Sequence, residues 1–127
     1  DGALEQEGVD VSMFEGFYYL TPFAYTATDD ATVSFVSKFN ALAGNNPNQF
    51  AADAYDVVYA IYNVLVEAGA TADMSAQDMG ELLCKTFQGG FTYSGLTGSN
   101  MTWNENGAVV KAPLAFQVKD GKLTAAE

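Results

Sequence analysis

Few side chains in this sequence are equipped for covalent chemistry. The 127-residue chain has no histidine and a single cysteine, Cys84. Histidine is the side chain best suited to proton transfer near neutrality and the commonest metal-binding group, so both roles lose their usual carrier. A thiol becomes a nucleophile beside a base or a positive charge. Cys84 sits beside an apolar helical face, where a buried, inert thiol is the expected reading. Asp53 and Asp56 stand three apart on a helical stretch. Carboxylates so spaced can offer oxygens to a hard cation, but no further ligands accompany them, and a polar helix edge is the plainer reading. Tyr18 and Tyr19 can face a ligand or pack within a strand, and packing is the ordinary outcome for such a pair. Trp103 offers a stacking platform or a hinge or core anchor. Asn100-Met101-Thr102 has the form of a glycosylation sequon, a pattern short enough to arise by chance. With no nucleophile–base pair and no metal-ligand spacing, an enzyme is the weakest reading.

Composition narrows the partners. The net charge is −11, from 5 basic and 16 acidic residues. That balance excludes nucleic acid, whose phosphates demand Lys and Arg, and an anionic membrane surface. Its plain meaning is a solvated surface. The chain is 49% hydrophobic and 13% aromatic, enough for one domain with a buried core. A lone cysteine excludes an internal disulfide. No run is long and apolar enough to span a bilayer, and no stretch has the layout of a signal peptide. The sequence opens at Asp1-Gly2 without methionine, and a mature product or an internal fragment is expected.

The elements that must position these residues centre on Asn46 to Gly69. Phe50, Ala54, Val57, Val58, Ile61 and Leu65 recur at helical spacing, with Tyr55, Tyr59, Tyr62 and Val66 as a second apolar stripe. A helix apolar over most of its circumference needs cover on several sides. Asn46, Pro47 and Asn48 supply its turn and cap, and Gly69 suits the left-handed residue after its last turn. Before it, the run 16–21 reads as a strand closed by Pro22. Both faces are apolar, which fits a covered, parallel-type strand. Asp29 or Asp30 caps a helix with Phe35, Val36, Phe39, Leu42 and Ala43 along one side, stopped by Gly44. Ser75 with Asp78 forms a capping box for a third helix with Met79, Leu82, Leu83 and Phe87 on its apolar face. Short strands follow: 91–93, a Gly95–Gly98 turn, 101–103, an Asn106-Gly107 hairpin signal, 108–110, and 114–118 before an Asp120-Gly121 turn.

The order strand, three helices, short strands is awkward. Wide apolar helix faces call for a sheet, yet no strand separates the first helix from the second or the second from the third, as right-handed crossovers require. The sequence supplies helices without enough strands for them to cover, as part of something larger would.

The segments Glu15-Gly16-Phe17-Tyr18-Tyr19-Leu20-Thr21-Pro22-Phe23, Phe35-Val36 with Phe39, and Pro47-Asn48-Gln49-Phe50-Ala51-Ala52-Asp53-Ala54-Tyr55-Asp56 come in a telling order. So do Gly95-Leu96-Thr97-Gly98, Met101-Thr102-Trp103-Asn104-Glu105-Asn106-Gly107 and Val118-Lys119-Asp120-Gly121-Lys122. Together they resemble the C-terminal part of the periplasmic binding proteins of branched-chain amino acid ABC transporters. These are type I, leucine/isoleucine/valine-binding-like proteins. The resemblance covers nearly the whole chain; no single motif is diagnostic, and the ordered set is the signal.

The resemblance implies an α/β fold, here a fragment of a two-lobe Rossmann-like protein with a ligand cleft between the lobes. Residues 1–22 would be a second-lobe segment, 23–94 a first-lobe helical segment, and 95–127 the return through the hinge to the second lobe. The missing strands would then lie in an absent N-terminal part. It also implies an amino acid ligand bound by lobe closure, a membrane ABC permease as partner, no cofactor, and a periplasmic or cell-surface lipoprotein location. A ligand-sensing extracellular domain of a receptor with the same fold is the alternative. Two site residues carry over. Asp1 stands where the family places an acid that receives the ligand's ammonium group, or it is a frayed terminus. Phe50 matches a cleft-facing aromatic residue at the start of the central helix, or it is core packing. The groups expected to hold the ligand's carboxylate lie outside this sequence. As a fragment the chain would expose apolar helix faces, to be covered by the missing half or by a second copy.

Overall fold

A computed structural model describes residues 7–126. Its elements are β1 (Tyr18–Thr21), α1 (Asp30–Ala43), α2 (Gln49–Glu67), α3 (Ala76–Gln88), β2 (Thr102–Trp103), β3 (Val109–Val110), β4 (Leu114–Lys119) and β5 (Lys122–Ala125), with a 3-10 turn at Val11–Phe14 before them. The three helices fall where periodicity and caps place them. The chain divides into two compact units. One is made of residues up to Ala52 together with those from Pro113 onward, and the other runs from Asp53 to Ala112.

In the first unit β1, β4 and β5 form an antiparallel sheet in the order β1-β4-β5, with Tyr18 opposite Gln117 and Phe116 opposite Ala125. The parallel, doubly covered setting expected for β1 is not found: its neighbour is the antiparallel return strand β4, and Leu20 is 68% exposed. Alternation along the strand makes the burial one-sided: Tyr19 turns toward Phe116 (ring centroids 6.2 Å apart) and Thr21 is buried, while Tyr18 and Leu20 point to the other face. Glu15 accepts from the backbone N–H groups of Asp120 and Gly121 at 3.0 and 3.1 Å, fastening the β4–β5 turn.

Asp29 caps α1 by accepting from the Thr32 N–H at 2.9 Å. The helix buries Thr32 and Phe35, and Phe35 lies between Phe23 (5.8 Å) and Phe39 (5.9 Å). Leu42, expected on the covered side, is 91% exposed, and Ala43 is exposed with it. The aromatic contacts of α1 gather at Phe35 and Phe39, and its last turn is held by the Asn40 side-chain amide donating to Asn46 Oδ1 at 3.1 Å, with Leu42 left outside.

In the second unit the Ser75 hydroxyl accepts from the Asp78 N–H at 3.1 Å and donates to its carboxylate at 2.7 Å, so the expected cap of α3 forms. Phe87, Phe91 and Trp103 make an aromatic cluster, with Trp103 4.7 Å from Phe87 and 5.8 Å from Phe91. The hairpin β2–β3 pairs Trp103 with Val109, and Asn104 Oδ1 holds its turn by accepting from the Asn106 and Ala108 N–H groups. Trp103 is therefore a packing residue of this unit. Cys84 is exposed, not buried as expected; it lies one residue past Leu83, about 100° further round the helix and off the covered face.

Candidate functional site

α2 begins at a well-fixed point. Asn48 Oδ1 accepts from the Ala51 N–H at 3.1 Å, and the Asn48 carbonyl accepts from the Ala52 N–H at 3.3 Å, so Asn48 is the cap. Just inside it, the Gln49 side-chain oxygen accepts from the Thr21 hydroxyl at 3.1 Å. That hydroxyl also lies 3.0 Å from the Phe23 carbonyl. Phe50 follows immediately and is 63% exposed. Among the described residues the packing role open to Phe50 is thus not taken up, and a large apolar ring lies exposed on a helix turn whose backbone is tethered. Asp1, the other candidate, lies outside the described residues.

The face of α2 that this chain buries differs from the one periodicity singles out. Ala52, Asp56, Ala60 and Val64 are buried, at a spacing of four. Val57, Val58, Ile61, Tyr62 and Val66 are exposed. Small residues let another backbone come close, and that is what happens at Asp56, read from sequence as a polar edge. Asp56 is only 4% exposed. One carboxylate oxygen accepts from the Leu96 N–H at 2.9 Å; the other accepts from the Thr97 N–H at 2.8 Å and the Thr97 hydroxyl at 2.7 Å. The buried charge is thereby hydrogen-bonded, as a buried charge must be. The turn it grips is closed by the Gly95 N–H donating to the Gly98 carbonyl at 2.9 Å. A Cβ on Gly95 would collide with the Asp56 carboxylate, so this position requires glycine.

Asp53, the other half of the supposed carboxylate pair, takes a different partner: Lys111 Nζ lies 3.0 Å from its Oδ1. The same ammonium donates to Thr97 Oγ1 at 2.9 Å. The two carboxylates thus do not converge on a common cation site but hold separate ends of one network. The signal that could have exposed Asp56 was an acid within a stripe of small residues at spacing four. A Gly-x-Thr-Gly turn downstream supplies the amides that such an acid needs.

Tyrosines flank the network. Burial first, and then the negative Asp56, push the Tyr93 phenol above its ordinary range. The Tyr55 and Tyr59 rings meet at a tilt of 42° with centroids 4.7 Å apart. Their hydrogen bond, followed by burial, raises the Tyr55 phenol. Both phenols, raised in this way, stay protonated at neutral pH.

No protein-family model and no curated protein matches the chain. Solved structures do. A branched-chain amino acid ABC transporter protein from Rhodospirillum rubrum is 25% identical, with a TM-score of 0.69 over 89% of this chain and 31% of that one. The chain resembles part of a branched-chain amino acid ABC transporter substrate-binding protein. An ABC transporter substrate-binding protein from Desulfitobacterium hafniense, solved in complex with Leu, is 20% identical with a TM-score of 0.67 over 92% of this chain and 33% of its own. A solute-binding protein of an ABC transporter from Rhodopseudomonas palustris BisB5, solved with 3,4-dihydroxybenzoic acid, is 17% identical with a TM-score of 0.69 over 96% of this chain and 33% of its own. At those two identities the likeness is one of fold.

The mixed α/β architecture, three helices followed by short antiparallel strands, is thus a segment of the type I periplasmic-binding-protein fold. The chain spans about a third of the length of the substrate-binding proteins it matches. No described helix is long and apolar enough to cross a membrane.

Proposed function

We propose that this chain is part of the solute-binding component of an ABC importer, acting outside the cytoplasm and capturing an amino acid, branched-chain or similar, between two lobes. The observation that carries this is the fold likeness to substrate-binding proteins over 89% and 92% of the chain, the second of them solved with Leu. In this reading residues 1–22 and 95–127 contribute to the second lobe and the hinge, and 23–94 to the first lobe. Phe50 supplies an apolar wall for an aliphatic side chain, and its tethered position on α2 supports that role: a ring held by a capped, anchored helix turn loses little freedom on binding. Asp1 supplies the carboxylate for the ligand's ammonium group. The rest of the polypeptide covers the bare side of α2, and a membrane permease receives the ligand.

The R. palustris structure holds an aromatic acid in the same fold, so the ligand class must be tested directly. Isothermal titration of the longer polypeptide that contains this segment, with leucine, isoleucine, valine and 3,4-dihydroxybenzoate, makes the choice. Leucine is expected to bind, and Phe50→Ala to weaken it about tenfold or more through lost apolar burial. Binding of the aromatic acid alone, or leucine affinity unmoved by Phe50→Ala, would overturn the amino acid site as drawn.

A further inference from the structure

The chain passes between its two compact units twice, into the second after Ala52 and out of it after Ala112. Asp53 is therefore the first residue of the second unit, and Lys111 is the last but one. These two residues, 58 apart in sequence, meet in the 3.0 Å bond from Lys111 Nζ to Asp53 Oδ1. The ammonium also donates to Thr97 Oγ1, and that hydroxyl donates its own hydrogen bond to Asp56 Oδ2. Every bond is donated outward from Lys111: the ammonium gives one to Asp53 and one to the Thr97 hydroxyl, the hydroxyl both accepts and donates, and the two carboxylates only accept. The chain of bonds starts at Asp53, where α2 comes into the unit, runs through Lys111 on the outgoing segment just after β3 and through Thr97, and ends on Asp56 about one helix turn further along α2.

We propose that Asp53, Asp56, Thr97 and Lys111 form one strap that ties the incoming crossing to the outgoing crossing, so that the two hold or loosen together. An exposed ion pair by itself contributes little. Here the ammonium is also bonded to a hydroxyl whose partner is the buried Asp56, and linked polar groups in a shielded setting reinforce one another. Asp53 and Thr97 both depend on the same Lys111 nitrogen, which lets a change at the incoming crossing reach the Gly95–Gly98 turn. Lys111 is a positioning residue in this scheme. The strap rests on contacts inside the second unit and is independent of the solute-binding reading.

Hydrogen exchange on the whole chain, read peptide by peptide, tests the strap. Asp53→Asn removes the charge and keeps the shape. It is expected to speed exchange about tenfold at the Leu96 and Thr97 amides and at the amides around Lys111, as well as at its own helix turn. Lys111→Arg, which can reach both partners, is expected to retain protection at all three places. Exchange in Asp53→Asn that rises only within α2, with the other two segments within about twofold of the unaltered chain, would sink the proposal and leave a local ion pair. Loss of protection in Lys111→Arg equal to that in Asp53→Asn would also count against it, since the charge would then matter without the linkage.

Discussion

One side of α2 carries Ala52, Asp56, Ala60 and Val64 and is buried; the other carries Val57, Val58, Ile61, Tyr62 and Val66 and is exposed. By composition the order should be reversed. The covered side is made of small side chains and an acid, and the bare side holds the large β-branched and aromatic ones. Hydrophobicity measures how much a face gains from cover, at roughly 25 cal/mol per Å² of apolar surface. It does not say which neighbour supplies the cover. A segment can build its own contacts on small residues, where backbone comes close and a carboxylate is filled by amides. Its most apolar side then stays bare.

The largest effect expected from breaking this contrast is at the acid. Asp56→Ala leaves the Leu96 and Thr97 N–H groups and the Thr97 hydroxyl without their acceptor. At about 1–3 kcal/mol for each unsatisfied buried group, and with the Leu96 amide only part-buried, a loss of about 3 kcal/mol or more should appear in urea unfolding. Gly95→Ala should also be severe, because its Cβ meets the same carboxylate. In an Asp56→Ala background Gly95→Ala should cost far less, the non-additivity expected of residues in contact. Additive losses would mean that Gly95 is required for some other reason.

A middle-sized effect compares one valine with another. Val64 is fully buried and Val58 is 66% exposed. Val64→Ala should cost about 2 kcal/mol through lost burial and a cavity. Val58→Ser should stay within about 0.5 kcal/mol. Equal losses at the two positions would erase the distinction between the faces. The bare side has its own readout: Val58→Ser combined with Ile61→Ser should reduce any self-association seen in sedimentation velocity while leaving the unfolding midpoint in place. A midpoint that falls with the pair would show that this chain covers the face by itself.

The same contrast explains what the sequence made legible. Helices α1, α2 and α3 announce themselves through Asp29, Asn48 and Ser75, each of which accepts a helix N–H through its side chain. The Asn104–Gly107 turn is local in the same way. Local chemistry needs no knowledge of the rest of the fold. Asp56 and Lys111 depend instead on partners 41 and 58 residues away, and nothing near them in sequence reveals those partners. The pairing of β1 failed for a related reason: the composition of Tyr18–Thr21 records burial propensity, while its neighbour is a strand nearly a hundred residues later. Of the two ligand-facing candidates, Phe50 was reachable only through resemblance, since exposure of a large ring on an apolar helix cannot be inferred from its spacing.

The smallest expected effect sets an exposed acid beside the buried one. Asp29 accepts a backbone N–H just as Asp56 does, but at the solvent-facing start of α1. Its carboxyl is held below the ordinary range, chiefly by the bond from the Thr32 N–H, with slight burial opposing. A carboxylate whose folded pKa is depressed contributes stability that is present above the unfolded value, about 3.9, and is lost as pH falls through the lower folded value. Unfolding measured from pH 6 down to pH 2 should therefore show a small loss below about pH 4 in the unaltered chain. Asn caps helices about as well as Asp and does not titrate. Asp29→Asn should leave stability at pH 6 within about 0.5 kcal/mol and remove that part of the acid-side slope. If the slope persists unchanged in Asp29→Asn, the acid sensitivity belongs to other carboxylates, and solvent has cancelled the contribution of this cap. The contrast with Asp56 would then be sharper still, with burial alone separating an aspartate that holds a turn from one that merely decorates a helix end.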